Sequence, residues 1–216
     1  MEIRAYDESY VQSAQNILGH AVDFAVMTLE ISPNVFGNAF SVSNASKQFA
    51  IGNPRYVAGM NGCELARLVL EEAGVPFPEA EDAMYLDKSP EYWSGWALAY
   101  YQWFSNRSFM EILKAVPLNQ MIRMYSVYHE MDISHMVEKM DEALKASFPF
   151  TRLRTRRENC GLSQSQLAAD SGVAVRQIQL FEQKQRDINK TAAATLLRLS
   201  RSLHCQMEDL MEVSSI

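Results

Sequence analysis

Four arginines fall within six residues of the 216-residue chain, at Arg152, Arg154, Arg156 and Arg157. Guanidinium groups at that density suit a polyanion, because their planar donor forks match phosphate oxygens. The charge around them is unevenly divided. Residues 1–150 hold 10 Lys/Arg against 19 Asp/Glu, a net of −9, whereas residues 151–216 hold 10 against 7, a net of +3. The overall −6 therefore hides an acidic bulk and a basic end. Local charge, not the total, governs attraction to a phosphate backbone.

Other chemistries are excluded by spacing. His129 and His135 flank Glu130 and Asp132, which suggests a metal site. A zinc-binding helix needs histidines at i and i+4, and six residues place these two about 240° apart on a helix. They read as surface side chains. Gly52, Gly59 and Gly62 precede a helical stretch, but no Gly-Lys-Ser/Thr follows, so they do not form a phosphate loop. No nucleophile elbow is present, and no Ser or Cys has an evident base partner. The chain is thus expected to be no enzyme, with no cofactor and no metal. Cys63, Cys160 and Cys205 are odd in number and form no CxxC, which argues against a disulfide framework or zinc finger and for a reducing cytoplasm. No apolar run approaches the ~20 residues a bilayer span needs, and MEIRAYDESY is unlike a signal peptide. A cytoplasmic location with no membrane partner is expected.

The elements that must position these residues read as helices throughout, an all-α chain. Val11, Ala14, Leu18, Val22, Ala25, Val26 and Leu29 keep helical spacing from Asp7 to about Glu30. Ser32-Pro33 restarts a helix, and residues 52–62 form a breaker-rich loop. Further helices are expected from Cys63 to Ala73, stopped by Gly74, from Ser89-Pro90 to about Ser105, after Ser108, from Pro117, and over 132–146. In the helix from Ser89-Pro90, Trp93, Trp96, Ala97, Tyr100 and Phe104 share a face and read as core, while Tyr101 and Trp103 lie off that stripe. Six of the twelve methionines fall between Met110 and Met140 and read as core filler. Phe148-Pro149-Phe150 marks the junction between a domain at 1–148 and another at 149–216.

The C-terminal segment has a specific pattern. Gly161 ends one helix, and Ser163 caps a second running from Gln164 to about Asp170. Gly172 permits a tight turn, and a third helix begins near Ala174. Leu167 faces inward, Ala168 is small enough for close crossing, and Val173, Ile178 and Phe181 supply an apolar wedge. This agreement at several independent offsets resembles the Cro/C1-type helix-turn-helix family, also called XRE, of phage and bacterial repressors. The resemblance spans Thr151 to about Glu212. It implies a five-helix, lambda-repressor-like domain, with a fourth helix around Thr195–Leu203, a short fifth at Glu208–Met211, and the third helix (174–182) in the major groove of double-stranded DNA.

By that resemblance Val175, Arg176, Gln177 and Gln179 face bases; Arg176 suits guanine and Gln177 suits adenine. Leu180 either contacts thymine methyls or packs half-buried. Gln164 sits where a phosphate is usually held. Arg152, Arg156, Lys184, Arg186 and Lys190 are further phosphate candidates, and Arg157 with Glu182 matches an internal ion pair. Two positions depart from the pattern: Lys184 and His204 stand where glycine is usual. The stretch Asp187–Ala194 is also longer than in the smallest repressors.

The N-terminal region is expected to be an interaction or sensing domain. Gly52-Asn-Pro-Arg-Tyr-Val-Ala-Gly59 and Tyr92–Trp103 resemble N-terminal regions of antitoxin-like regulators fused to this kind of DNA-binding domain. Two functions follow: a dimeric repressor or autoregulator at a palindromic operator, or an antitoxin that neutralises a partner toxin through its N-terminal domain and represses its own operon. A ligand-responsive regulator, with the aromatic helix lining a pocket, is a third.

Overall fold

A computed structural model describes residues 4–83 and 87–212. The chain divides into two compact units between Ser147 and Phe148. Among the described residues both are helical without strands.

The first unit is built round α1 (Val11–Asp23), which a short 3-10 turn at Glu8–Tyr10 leads into and a π turn at Phe24–Thr28 extends. The π turn is wider than the α-helix expected through this stretch: Leu29 N–H reaches back five residues to Phe24 O at 3.0 Å. It keeps Phe24, Ala25 and Leu29 buried while Met27 faces out. The restart at Pro33 is two helices, α2 (Pro33–Val42) and α3 (Asn44–Ala50). They separate at Ser43, whose extended backbone ends the first and whose hydroxyl caps the second by accepting Ser46 N–H. Within the glycine-rich segment expected to be loop, Asn53 and Pro54 start a single-turn helix, α4 (Pro54–Val57). Cap plus proline at the first helical position is enough for one turn.

Helix α5 (Gly62–Ala73) is held by an Asn61–Glu64 capping box and ends at Gly74, φ 64°. Helix α6 (Pro90–Ser105) follows Ser89 as expected, then α7 (Phe109–Ala115), α8 (Leu118–Tyr128) and α9 (Ile133–Ser147). Helix α6 runs antiparallel along α1 at unusually close range. A Cβ on Gly95 would stand 2.4 Å from Leu18 O, and one on Gly19 would stand 2.8 Å from the Tyr92 ring. Glycine is favoured at both because the Leu18 backbone at Gly95 and the Tyr92 ring at Gly19 occupy the space a side chain would need.

Burial on α6 departs from the expected stripe at every ring, and only Ala97 of that face is fully buried. Tyr92, Ala97, Leu98, Ala99, Tyr101 and Trp103 are buried, and Tyr101 donates its hydroxyl to Asp141 at 2.6 Å. Trp93, Trp96, Tyr100 and Phe104 are only half-buried. The helix is apolar on more than one side, so periodicity defines the stripe but not which side meets the densest neighbours.

The second unit contains α10 (Arg152–Asn159), α11 (Gln164–Ser171), α12 (Val175–Glu182), a 3-10 turn at Ile188–Lys190 and α13 (Ala193–Ser202). Its own core joins Leu153, Leu167, Val173, Ile178, Phe181, Ile188, Leu196, Leu199, Leu203 and Leu210. The short fifth helix expected at Glu208–Met211 is a hydrogen-bonded turn instead, with Leu210 N–H on Met207 O and Met211 N–H on Glu208 O. It does not propagate because the Glu212 backbone N–H is taken by Asn189 Oδ1 at 2.9 Å.

Candidate nucleic-acid interface

Two helices meet at a three-residue turn. Ser163 and Gln166 form a capping box that starts α11, and the Ser163 hydroxyl accepts Gln166 N–H. Gly172 ends it in the left-handed conformation, φ 66°, with its N–H on Ala168 O at 2.9 Å. Val173 is then buried, and α12 begins after Ala174. Leu167, Ile178 and Phe181 close the angle between the two helices from inside.

That packing decides which edge of α12 faces out. Ile178, Phe181 and Glu182 point inward, all buried. With about 100° per residue, the opposite edge is Arg176, Leu180 and Gln183, flanked by Gln177 on one side and Gln179 on the other. Burial follows the same arc: Arg176 and Gln183 are exposed, and Val175, Gln177, Gln179 and Leu180 are half-buried. Gln183 was not among the sequence candidates. It lies seven residues after Arg176, two helical turns on the same edge, and that spacing was available to find it.

Behind the edge sits a buried ion pair. Arg157 Nε donates to Glu182 Oε1 at 2.6 Å, and its Nη2 donates to Oε2 at 2.9 Å. Nη1 donates to Leu162 O at 2.7 Å, fixing α10 to the loop before α11. The hydrogen bond to Glu182 raises the Arg157 pKa above its ordinary value despite burial. The pair is structural, as the resemblance implies.

The phosphate candidates divide into two groups. Gln164 Nε2 donates to Glu182 Oε2 at 2.8 Å, so this amide is committed to the ion pair. The Arg152 backbone N–H is bonded to Glu212 Oε1 at 2.6 Å, and Arg156 pairs with Asp209 at 3.3 Å. Lys190 is exposed, with Asp187 3.8 Å away. Arg176, Lys184 and Arg186 are exposed without an ion-pair partner among the described residues, and Arg186 leans over the Phe181 ring.

The two departures from glycine have a structural counterpart. Lys184 has φ 56° and His204 φ 50°, both left-handed. Each ends its helix in a bond reaching back five residues, Gln185 N–H to Leu180 O and Cys205 N–H to Ser200 O. The conformation that usually calls for glycine is kept without it.

Elsewhere the histidines stay apart. His129 Nδ1 is 2.7 Å from Tyr125 O, and His135 is exposed beside Glu138. Among the described residues no group of three His, Cys, Asp or Glu is placed to hold a metal, and no helix is long and apolar enough to cross a membrane.

Residues 153–210 match the helix-turn-helix family profile, of the Cro/C1 (XRE) type. The C-terminal unit is therefore a DNA-binding domain of that class, a non-enzymatic one. Comparison of the chain with curated proteins and with solved structures finds no match.

Proposed function

We propose that the protein is a sequence-specific transcriptional regulator, a dimeric repressor or autoregulator whose helix α12 reads the major groove of its operator. The observation that carries this reading is the outward edge of α12. Arg176 is exposed there with no ion-pair partner among the described residues, and half-buried glutamines at 177 and 179 flank it. A helix of this width enters the major groove, where Arg and Gln forks complement guanine and adenine. Lys184 and Arg186 follow directly after α12, at the end where the duplex backbone would pass. The side chains of Arg156 and Gln164 must exchange internal partners to reach phosphate, so they come second to Arg176, Lys184, Arg186 and Lys190 as contacts. Dimerisation would place two copies of α12 about 34 Å apart, one helical turn of DNA.

The experiment is fluorescence anisotropy with duplex DNA from upstream of the protein's own gene, beside a scrambled duplex, at two salt concentrations. The proposal expects preference for the upstream duplex and a steep fall of affinity with salt, because counterions are released from the neutralised phosphates. Equal binding to both duplexes would refute sequence-specific autoregulation. Co-purification of a neighbouring small protein, with no operator binding, would favour the antitoxin alternative.

A further inference from the structure

Helix α6 carries a ladder of rings on the side that the fold leaves half open. Trp96 and Tyr100 stack with centroids 6.5 Å apart and planes 8° from parallel, and Tyr100 stacks on Phe104 at 6.0 Å and 19°. Trp93 carries the row across to α8, where Tyr125 meets it edge-on at 5.9 Å and His129 stacks on Tyr125 at 4.2 Å. From Trp93 to Phe104 the α6 portion runs about 16 Å at 1.5 Å per residue, the length of about five extended residues.

Charge decides what such a surface favours. Burial is the main cause that raises the Tyr100 hydroxyl pKa; the carboxylates of Asp132 and Glu8 raise it further, and Arg4 opposes them. Both carboxylates thus act on the middle of the ladder, together with the Arg4 guanidinium. One end already holds a guanidinium. Arg4 Cζ lies 3.8 Å from the Phe104 ring centroid and 5.3 Å from that of Trp103, and its Nη1 donates to Phe104 O at 2.7 Å. Apolar rings alone would take any hydrophobic occupant. Ring faces beside carboxylates, in a region of net −9, favour a planar cation over an apolar or anionic one.

We infer that this ladder is a docking site for an extended, arginine-bearing segment of another protein. Its guanidinium groups stack on Trp96 and Tyr100, as that of Arg4 does on Phe104, and Asp132 and Glu8 neutralise them. The inference does not depend on the DNA reading.

The test titrates the full chain with an octa-arginine peptide, read by calorimetry and by tryptophan emission. Saturable micromolar binding with a tryptophan response is expected. Octa-lysine of equal charge should bind at least tenfold more weakly, since ammonium does not stack. Trp96→Ala and Tyr100→Ala should each lose tenfold or more in affinity, and Glu71→Gln on α5 should lose less than twofold. Asp132→Asn, at an exposed position, gives a variant whose folding is not at stake, and it should weaken binding severalfold. Equal affinity for the two peptides, or no loss in Trp96→Ala and Asp132→Asn, would show charge attraction alone and overturn the assignment. Self-association that octa-arginine dissolves and Trp96→Ala abolishes would make a second copy the occupant, and would overturn the assignment to another protein.

Discussion

Replacing Glu182 with alanine should unfold the DNA-binding unit and leave the N-terminal unit standing. The carboxylate accepts from Arg157 at 2.6 and 2.9 Å and from Gln164 at 2.8 Å, and its side chain is 3% exposed. At those distances the attraction is about 6 kcal/mol for an effective dielectric near 20. Desolvation offsets part of it, and removing one member of a buried pair costs about 3–5 kcal/mol, because the other charge stays buried and unpaired. A unit of this size has only about 3–10 kcal/mol of stability in total. The loss is therefore comparable to the whole.

The aromatic residues make the assay selective. All three tryptophans and all nine tyrosines precede Phe148, so tryptophan emission reports the first unit alone, whereas far-ultraviolet circular dichroism reports both. In a urea titration of Glu182→Ala, the dichroism should show an early transition or a reduced starting signal, with the tryptophan transition unmoved. A loss below about 1 kcal/mol, the behaviour of a solvent-exposed pair, would refute the reasoning. So would a tryptophan transition that shifts in parallel.

The remaining predictions separate the two units and the two ends of α12. Gly95→Ala should destabilise the first unit by about 1–3 kcal/mol, the usual cost of overpacking, seen as an earlier tryptophan transition, because the new Cβ meets Leu18 O at 2.4 Å. His204→Gly should stabilise the second unit by about 0.5–1 kcal/mol by relieving a left-handed residue, visible as a later dichroism transition and no change in emission. Burial, and after it Lys88, lowers the His20 pKa while Asp23 opposes them. The unfolded chain then binds the proton more readily, so the first unit should lose stability as pH falls below about 6.5. The loss should level off once His20 protonates in the folded state. His20→Gln should flatten that part of the pH profile of tryptophan-detected unfolding.

The sequence revealed most about elements whose ends are set by local chemistry. Ser89-Pro90, Ser108 and the Ser163–Gln166 box announce helix starts by satisfying exposed N–H groups, and each helix begins there. The helix-turn-helix was legible because its constraints are short-range: a left-handed Gly172, a small Ala168 and an apolar wedge within a few residues. What escaped depends on partners distant along the chain. The half-open side of α6 follows from α1 crossing at Gly19 and Gly95. The commitment of Gln164 follows from Glu182 arriving eighteen residues later. The π turn after α1 has no residue signature in this chain. Lys184 and His204 show the converse case. Their residue types depart from the glycine usual there, yet the backbone hydrogen bonds of the helix ends hold both in the glycine-like conformation.

The central claim is that the exposed edge of α12 reads bases, with the cations that follow it holding phosphates. Its most direct test is to select preferred duplexes for the wild type from a random library, then measure Arg176→Ala and Lys184→Ala across all single-base variants of the selected site. Arg176→Ala should lose about 1–3 kcal/mol and relax preference at a single base pair. Lys184→Ala should weaken every sequence alike and reduce the salt slope by about one. If Arg176→Ala keeps the wild-type preference at every position, or if both variants lose affinity uniformly, α12 does not read sequence through this edge.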